Sequence, residues 1–212
     1  SRIKFIDLAL SDPTALKQQL DREQFDCIFH FAGLTKAKRP EDFDKVNFGL
    51  TKNLADAINP QTTKLIFLSS FAAHGPAEEV NFSKAKVSDE NKPNTAYGRS
   101  KLKAEEYINA NFKGKYVILR PTGVYGPRET DYFVFFQTID NHIEPYLGFV
   151  PQHLTFIYSK DLVEVCIKAF ESDISGKTYF VSDGKMYLDS EYAAISKQVL
   201  NKKTIKLKFP LF

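Results

Sequence analysis

The sequence predicts an α/β fold in which a doubly wound parallel sheet carries helices on both faces. Short apolar stretches with the composition of buried strands alternate with longer stretches whose apolar residues repeat at helical spacing. Strands separated by helices of about 10–15 residues form parallel sheets, because each helix crosses over and brings the next strand alongside the last. The 212 residues, 43% of them hydrophobic, suffice for one domain of ordinary size or a domain and a half.

The first half of the chain alternates regularly between predicted strands and helices. Asp12 and Pro13 form a favourable helix start, since aspartate caps helices and proline is tolerated at the first helical position. The run over residues 26–33 is apolar enough for a strand that is buried on both faces. The predicted elements are strands over 3–8, 26–33, 64–70 and 116–120, and helices over 14–20, 41–58 and 97–111.

The rhythm becomes less regular after residue 128, and no linker marks a boundary there. We expect a helix over 133–143, an extended segment over 154–157, a helix over 161–170, a strand over 177–181, a helix over 190–200 and a strand over 204–207. Residues 1–128 are therefore predicted to form the sheet domain. Residues 129–212 are predicted to form mostly a partial C-terminal appendage, with strands and helices that return to the sheet domain.

Charge and composition exclude several classes of protein. The net charge of +3 and the dispersed lysines argue against nucleic acid as a partner. No apolar run approaches the roughly 18 residues of a membrane span. Cys27 and Cys166 fall in apolar stretches, where small buried thiols are expected, and two such residues do not make a disulfide framework. With no secretory leader visible, we expect a cytoplasmic protein, and we expect no metal.

Tyr97 and Lys101 lie four residues apart on the predicted helix over 97–111, so the phenol and the ammonium would project from one face. A phenol with a pKa of about 10 is a poor base at neutral pH. A cation beside it favours the phenolate, which can then accept a proton from a secondary alcohol. Ser70 ends a predicted strand upstream and could present its hydroxyl to the same place. The pair alone is a weak signal, and its surroundings give it weight.

Four segments, in order and spacing, resemble the extended short-chain dehydrogenase/reductases, the NAD(P)-dependent epimerase/dehydratase family. They read HFAGLTK at 30–36, LSS at 68–70 with Gly75, YGRSK at 97–101 followed by Ala104 and Glu105, and LRPTGVYGP at 119–127. The resemblance implies a Rossmann-like fold with NAD or NADP lying across the carboxyl ends of the strands. It also implies three catalytic residues: Tyr97 as general acid/base, Lys101 as its pKa-lowering partner, and Ser70 as donor to the reacting oxygen.

The resemblance implies cofactor contacts near the start of the chain. Phe31, Ala32 and Gly33 end a strand, where small residues let the backbone approach a dinucleotide closely. Asp7 and Leu8 match the position that contacts adenine in the family, although an aspartate there also suits a turn.

Further cofactor contacts are implied beyond that strand. Asn47 matches an asparagine that packs near the cofactor and the catalytic strand in the family. Lys36 matches a position near the pyrophosphate, where a solvated lysine is the alternative. Pro121 and Thr122 are expected to hold the nicotinamide carboxamide through backbone groups. Lys101 is expected to bond the nicotinamide ribose, beside Tyr97.

The substrate is expected to meet Ser69, Ser70 and Arg128. His74 takes the place of a tyrosine that the family often has before the glycine of the serine segment, and it also counts as a candidate substrate contact. A lone histidine in a loop is otherwise usually a surface residue.

One branch of the family is excluded by three positions. The 4,6-dehydratases carry Thr-Asp-Glu beginning where this chain has Ser70, Phe71 and Ala72. Elimination of water by that route needs a carboxylic acid and a carboxylate, which phenylalanine and alanine cannot supply. The serine version resembles the UDP-galactose 4-epimerase and 3β-hydroxysteroid dehydrogenase branches more closely.

The sequence therefore predicts an NAD(P)-dependent oxidoreductase or epimerase acting on a secondary alcohol or ketone. A nucleotide sugar is the first expectation for its small-molecule substrate. The alternatives are a reductase or dehydrogenase of a less polar alcohol or ketone, and a non-catalytic dinucleotide-binding protein of the same fold. Relatives commonly form homodimers through helices that correspond to 41–58 and 97–111, so a homodimer is a family expectation.

The family's glycine-rich turn, which receives the pyrophosphate at a helix N-terminus, has no counterpart here, because Gly33 is the first glycine. The predicted strand over 3–8 matches the third strand of the family. We therefore expect the sequence from Ser1 to Phe212 to be part of a longer protein, to lack the first strands of the sheet and to bind NAD(P) poorly as it stands.

Overall fold

A computed structural model describes residues 3–76 and 85–210 of the chain. Helices α1 to α7 span Pro13–Glu23, Pro40–Phe43, Thr51–Ala57, Ala96–Asn111, Phe133–Asp140, Ser159–Glu171 and Asp189–Leu200. Strands β1 to β10 span Cys27–His30, Lys64–Leu68, Tyr116–Pro121, Gly123–Tyr125, Ile143–Leu147, His153–Leu154, Phe156–Tyr158, Lys177–Val181, Tyr187–Leu188 and Ile205–Phe209. A π-helix over Asp44–Leu50 joins α2 to α3, and a 3₁₀ helix over Phe71–Ala73 follows β2.

The described residues form two compact units. The first comprises residues 1–121 and 164–180, and the second comprises residues 122–163 and 181–212. The boundary at residue 128 between a sheet domain and an appendage stays a prediction. None of the helices within residues 3–76 and 85–210 is long and apolar enough to cross a membrane.

The first unit is built on a four-stranded sheet in the order β1-β2-β3-β8. Strand β2 pairs in parallel with β1 on one side and with β3 on the other. Side chains alternate along a strand, so Leu65 and Phe67 of β2 face one layer of helices. They form a buried core with Leu16 of α1, Leu54 of α3 and Ile108 of α4.

The opposite face of the same sheet meets α6. Lys64 of β2 points away from the core cluster, and its ammonium donates to the carbonyl oxygens of Ala169 and Ser172 at 2.6 and 2.5 Å. A cation at the C-terminal end of a helix satisfies carbonyl groups that have no partner within the helix. Helices therefore cover both faces of the sheet, which confirms the doubly wound α/β prediction.

The second unit consists of paired short strands with two helices. Strand β4 pairs in parallel with β7, β5 pairs in parallel with β10, and β6 pairs antiparallel with β9. Phe156 of β7 lies at the centre of an aromatic cluster. Its ring centroid is 5.2 Å from that of Tyr132, 5.1 Å from that of Tyr192 and 6.1 Å from that of Tyr125.

Helix starts agree with the predictions from local sequence. The carboxylate of Asp12 caps α1 by accepting from the backbone N–H groups of Thr14 and Ala15, with Pro13 following as predicted. Thr95 caps α4 by accepting from the backbone N–H of Gly98 at 3.0 Å. Both caps satisfy donors that a helix leaves open at its first turn.

Several predicted elements were wrong in place or in kind. Residues 3–8 form no strand, because no described strand lies beside them; instead, Leu8 packs against the core cluster. The predicted strand over 26–33 is not buried on both faces. Among the described strands, β1 is the outermost of its sheet, and Phe29 within it and Phe31 just after it are 38% and 52% exposed. The helix predicted to reach Ile143 ends at Asp140.

Other elements were not predicted at all. The short strands β4, β5 and β9 were missed, as was the π-helical stretch between α2 and α3. Ser1, Leu211 and Phe212, on which the expectation of a longer chain partly depended, lie outside the described residues.

Candidate active site

Ser70 and Tyr97 meet at the carboxyl end of β2. Ser70 caps the 3₁₀ helix that follows the strand, and its hydroxyl accepts from the backbone N–H of Ala72 at 3.2 Å. Tyr97 lies in the first turn of α4, close enough to Ser70 for that side chain to act on the pKa of the phenol. The next residue is Gly98, where an added Cβ would lie only 2.2 Å from the carbonyl oxygen of Ala72. Glycine at this position therefore lets the first turn of α4 pack closely against the 3₁₀ helix that follows Ser70.

Burial dominates the acidity of the Tyr97 phenol. Burial raises the pKa of Tyr97, and the hydrogen bond with Ser70 acts in the opposite direction. The role of Lys101 in lowering the pKa of the Tyr97 phenol stays a prediction.

The ammonium of Lys101 is held at the end of the same strand. Lys101 is 4% exposed, and its Nζ donates to the carbonyl oxygen of Leu68 at 2.6 Å and lies 4.4 Å from the centre of the Phe67 ring. Burial lowers the pKa of Lys101 to about 8, and the charge of Glu105 acts to raise it. A buried lysine with a pKa this close to neutrality is typical of functional sites.

Asn47 connects the end of β1 to the start of α4. It is fully buried in the π-helix, a type of segment that often occurs at functional sites. Its amide accepts from the backbone N–H of Leu34 at 2.7 Å and donates to the Leu34 carbonyl oxygen at 3.0 Å. It also donates to the hydroxyl of Ser100 at 3.0 Å, and that hydroxyl donates to the carbonyl oxygen of Tyr97 at 2.7 Å.

The turn after β1 is open on the side away from Asn47. Phe31, Ala32 and Gly33 are all exposed. An added Cβ at Gly33 would lie 3.0 Å from Asn47 Oδ1 and 3.9 Å from Lys101 Nζ. Exposed residues of this turn therefore lie close to the buried Lys101 ammonium.

His30, the last residue of β1, packs next to Asn47 and Lys101 through Thr51 and Phe67. Its Nε2 is 2.8 Å from the Thr51 hydroxyl, which donates to the Asn47 carbonyl oxygen, so Nε2 is the donor to Thr51. Its ring stacks on Phe67 with centroids 5.5 Å apart. Burial and the charge of Lys101 lower the pKa of His30 to about 4, so the ring is neutral at pH 7.

His74 is buried, contrary to the usual place of a loop histidine. The imidazole stacks on Phe71 at 5.5 Å between centroids and meets the edge of Phe180 at 5.2 Å. Its Nδ1 lies 3.1 Å from the carbonyl oxygen of Gly75, whereas Nε2 has no hydrogen-bond partner among the described residues.

The other predicted cofactor contacts lie in several parts of the fold. Asp7 and Lys36 are exposed, and Leu8 packs against the core cluster. Pro121 is buried at the end of β3 in the first unit. Thr122 begins the second unit, where its backbone N–H donates to the carbonyl oxygen of Val181 at 3.0 Å.

Arg128 also lies in the second unit. It is exposed, and its backbone has a left-handed φ of 72°. Within residues 3–76 and 85–210, no group of three or more histidine, cysteine, aspartate or glutamate residues is placed to hold a metal ion.

Sequence reasoning missed the buried charges next to Ser70. Ser69 donates to the carboxylate of Glu105, which forms an ion pair with Arg120. The signal that could have indicated them is the spacing of Lys101 and Glu105, which lie four residues apart and so share one face of the helix. Charged residues are rarely buried without a partner, so a buried Glu105 implies a cation beside it.

A doubly wound parallel sheet with serine, tyrosine and lysine at its carboxyl end defines a Rossmann-like protein of the extended short-chain dehydrogenase/reductase type. The chain belongs to the NAD dependent epimerase/dehydratase family, whose sequence model matches residues 1–182. This is the family that the sequence motifs indicated, and its cofactor is NAD or NADP.

Solved structures of family enzymes share the fold. RMD from Pseudomonas aeruginosa complexed with NADPH has a TM-score of 0.82 and 18% identity, covering 97% of this chain and 75% of its own. ADP-L-glycero-D-manno-heptose-6-epimerase from Helicobacter pylori has a TM-score of 0.81 and 25% identity, and the match covers 96% of this chain and 67% of that protein. UDP-glucose 4-epimerase from Thermotoga maritima with UDP-glucose has a TM-score of 0.81 and 18% identity, and the match covers 98% of this chain and 72% of that protein.

A curated relative has a different kind of substrate in its name. The ceramide reductase of Caulobacter vibrioides is 29% identical over 112 residues, which cover 53% of this chain and 30% of that protein. The matched stretch is thus less than a third of the relative's length.

Proposed function

We propose that this protein is an NAD(P)-dependent oxidoreductase or epimerase that acts on a secondary alcohol or ketone, with Tyr97 as the general acid/base. The observation that carries the proposal is that Ser70, Tyr97 and the buried Lys101 ammonium converge on the carboxyl end of β2. A protein that only bound a dinucleotide would have no need for two hydroxyl groups and a buried cation at one strand end. This favours an enzyme over the non-catalytic alternative.

Each of the three residues has a distinct proposed role. The Tyr97 oxygen donates a proton to a carbonyl oxygen, or accepts it from the corresponding alcohol, and such help accelerates reactions by about 10²–10⁴-fold. Ser70 donates a hydrogen bond to the same substrate oxygen. Lys101 places a positive charge near the reacting oxygen and so favours the anionic state that develops there.

The cofactor supplies the acceptor or donor of hydride when it is bound. Lys101, beside Tyr97, would hold its ribose, and the exposed backbone of Phe31, Ala32 and Gly33 would lie against it. Asn47 would act by fixing Leu34, the residue after that backbone, through the two hydrogen bonds described above.

The other cofactor contacts stay proposals from the resemblance. They are Asp7 and Leu8 at the adenine, Lys36 near the pyrophosphate, and the backbone of Pro121 and Thr122 at the carboxamide.

A nucleotide sugar is the first proposed substrate. In the first unit, Ser69 precedes Ser70 directly, and His74 stacks on Phe71, the residue after Ser70. The Nε2 atom of His74 is buried and has no hydrogen-bond partner among the described residues. In the second unit, the exposed Arg128 is the proposed contact for a charged group. The solved epimerase of Thermotoga maritima binds UDP-glucose, which supports this substrate class.

A less polar alcohol or ketone is the second candidate. It is favoured by the similarity to a ceramide reductase and by the scarcity of arginine, since Arg128 is the last arginine in the sequence. Diphosphates are commonly held by bidentate arginine contacts. In either case we propose that the reaction is not a 4,6-dehydration, and that the protein is a cytoplasmic homodimer.

Deuterium transfer tests the proposed function without a prior choice of substrate class. The natural full-length protein is incubated with NADH or NADPH deuterated at the reactive carbon, together with a panel of nucleotide-sugar ketones and apolar ketones. Deuterium in an alcohol product, detected by mass spectrometry, supports the reaction and identifies the substrate class. Tight binding of the cofactor without transfer to any member of either class would favour the non-catalytic alternative.

A further inference from the structure

A buried ion pair lies next to Ser69, the residue that precedes Ser70 of the candidate active site. Arg120 on β3 reaches Glu105 on α4 with Nη2 at 2.6 Å from Oε2 and Nε at 3.0 Å from Oε1, and the two side chains are 4% and 2% exposed. Asn91 accepts from Arg120 Nη1 at 2.8 Å, and the Ser69 hydroxyl donates to Glu105 Oε1. The charges are therefore both buried and hydrogen bonded.

Stability alone does not account for such a pair. Removing two charges from water is costly, and well-packed apolar residues of similar volume are often as stable or more stable. A role in fixing the geometry of neighbouring groups is an alternative explanation for this pair.

The pair ties β3 to α4 and to the end of β2, and the candidate catalytic groups lie on α4 and just after β2. Two successive turns of α4 bond two successive residues there, because Lys101 donates to the carbonyl oxygen of Leu68, the last residue of β2, and Glu105 accepts from the hydroxyl of Ser69, the next residue. Ser69 is also tied to β3, since its backbone N–H donates to the Leu119 carbonyl oxygen at 2.8 Å. Ser70 follows at once in sequence.

We propose that Glu105 and Arg120 are positioning residues, which lock α4 against the ends of β2 and β3 and thereby keep the Lys101 ammonium at the Leu68 carbonyl, beside Ser70 and Tyr97. The proposal rests on the proposed function of that site. Neither residue is assigned a contact with substrate or cofactor; each acts through the groups that it holds in place.

The charges around Lys101 give this role a measurable signature. Glu105, from the same helix, is the negative charge that acts on Lys101. The charge of Lys101 also acts on His30 of β1, which is neutral at pH 7, and the nearby Asn47 of the π-helix is uncharged. Arg120 forms an ion pair with Glu105, so removing the Glu105 charge would also leave the positive charge of Arg120 unpaired. Removing the Glu105 charge should therefore make Lys101 easier to deprotonate.

The test is an NMR titration of lysine labelled with ¹³C at the ε carbon, in the natural full-length protein. Lys101→Arg identifies the resonance. We expect the wild-type ammonium to titrate near pH 8 and the Glu105→Gln variant to titrate about 1 pH unit lower. Glu144→Gln is the matched control, because Glu144 is equally buried and paired with Lys197 in the second unit, and it should leave the Lys101 titration unchanged.

A second variant guards against a folding defect. Glu105→Gln with Arg120→Gln keeps a hydrogen-bonding pair of side chains but removes both charges. In this variant we expect a lower Lys101 titration and a kcat reduced by about 10²-fold, with a smaller change in KM.

An unchanged Lys101 titration in a folded variant would overturn the proposal, as would wild-type kcat in the double variant. Failure of both variants to fold would assign the pair to stability alone and would also overturn it. The titration needs no substrate, so a wild-type protein without turnover would count against the proposed function and not against this inference.

Discussion

The ammonium of Lys101 lies 2.6 Å from the carbonyl oxygen of Leu68, so a helix side chain is anchored to the last residue of the central strand β2. This bond places a buried positive charge two residues away from Ser70, whose side chain acts to lower the pKa of the Tyr97 phenol. The candidate active site thus depends on how closely α4 approaches β2 and the 3₁₀ helix that follows it.

Substitution of Gly98 tests this close approach. In Gly98→Ala the new Cβ would lie 2.2 Å from the Ala72 carbonyl oxygen, so the backbone must move and the free energy of unfolding should fall by about 1–3 kcal/mol. Gly49→Ala is the control, since its Cβ would have its nearest neighbour at 3.7 Å. A helical alanine there should stabilise the protein by about 0.5–1 kcal/mol. Urea unfolding measures both, and equal effects would contradict the packing described.

Asn47→Ala should be strongly destabilising. It removes three hydrogen bonds at a fully buried position and leaves the N–H of Leu34 without its partner, so we expect a loss of about 2–4 kcal/mol. Asn53→Ala is the control, because it loses one half-buried bond to the Leu10 carbonyl oxygen and should cost about 1 kcal/mol. Thermal and urea unfolding compare the two. A smaller loss for Asn47→Ala than for Asn53→Ala would be inconsistent with the network.

The lowered pKa of Lys101 predicts a dependence of stability on pH. Burial lowers this pKa to about 8, whereas a lysine in the unfolded chain titrates near 10.4. Between these values the unfolded state binds more protons, so the contribution of Lys101 to the free energy of unfolding rises with pH and is lost as the pH falls through about 8.

Denaturation of the wild-type protein and of Lys101→Met, at about pH 7 and about pH 10, measures this contribution. The difference should move in favour of the wild type by up to about 1.4 kcal/mol for each pH unit within the window. A difference that does not change with pH would show that Lys101 is not buried as described.

The protein should not convert nucleoside-diphosphate hexoses to 4-keto-6-deoxy sugars. Phe71 and Ala72, which follow Ser70 in the 3₁₀ helix, cannot transfer protons. Incubation of the full-length protein with NAD and such a sugar should give no product lighter by one water in mass spectrometry. A dehydrated product would show that other residues supply the acid and base.

The sequence predicted the regular elements well because their signals are local. The cap at Asp12 and the periodicity of α4 depend on neighbouring residues only, and both are found in the structure. The short strands β4 and β9 were missed, because three-residue and two-residue strands form only when a partner strand lies beside them. Burial of β1 was predicted from its composition, yet exposure depends on what packs against it, which no local pattern specifies.

The sequence predicted which residues form the candidate site, but it did not predict the hydrogen bonds that these residues make. The spacing of Tyr97 and Lys101 placed both on one helix face, but it could not show that the ammonium would choose the Leu68 carbonyl oxygen. That choice depends on the distance between α4 and β2, a tertiary property. The ion pair of Glu105 and Arg120 joins residues 15 positions apart on different elements and was hidden for the same reason.

Tyr97→Phe tests the central claim most directly. The variant keeps the ring and its packing against Phe43 but removes the phenol oxygen that is proposed to transfer the proton. Turnover in the full-length protein should fall by about 10²–10⁴-fold, while the affinity for NAD(P)H, measured by fluorescence, should stay nearly constant. Tyr107→Phe is the control on the same helix, where the hydroxyl bonds the exposed Asp56, and it should retain activity. Wild-type turnover in Tyr97→Phe would show that another group transfers the proton.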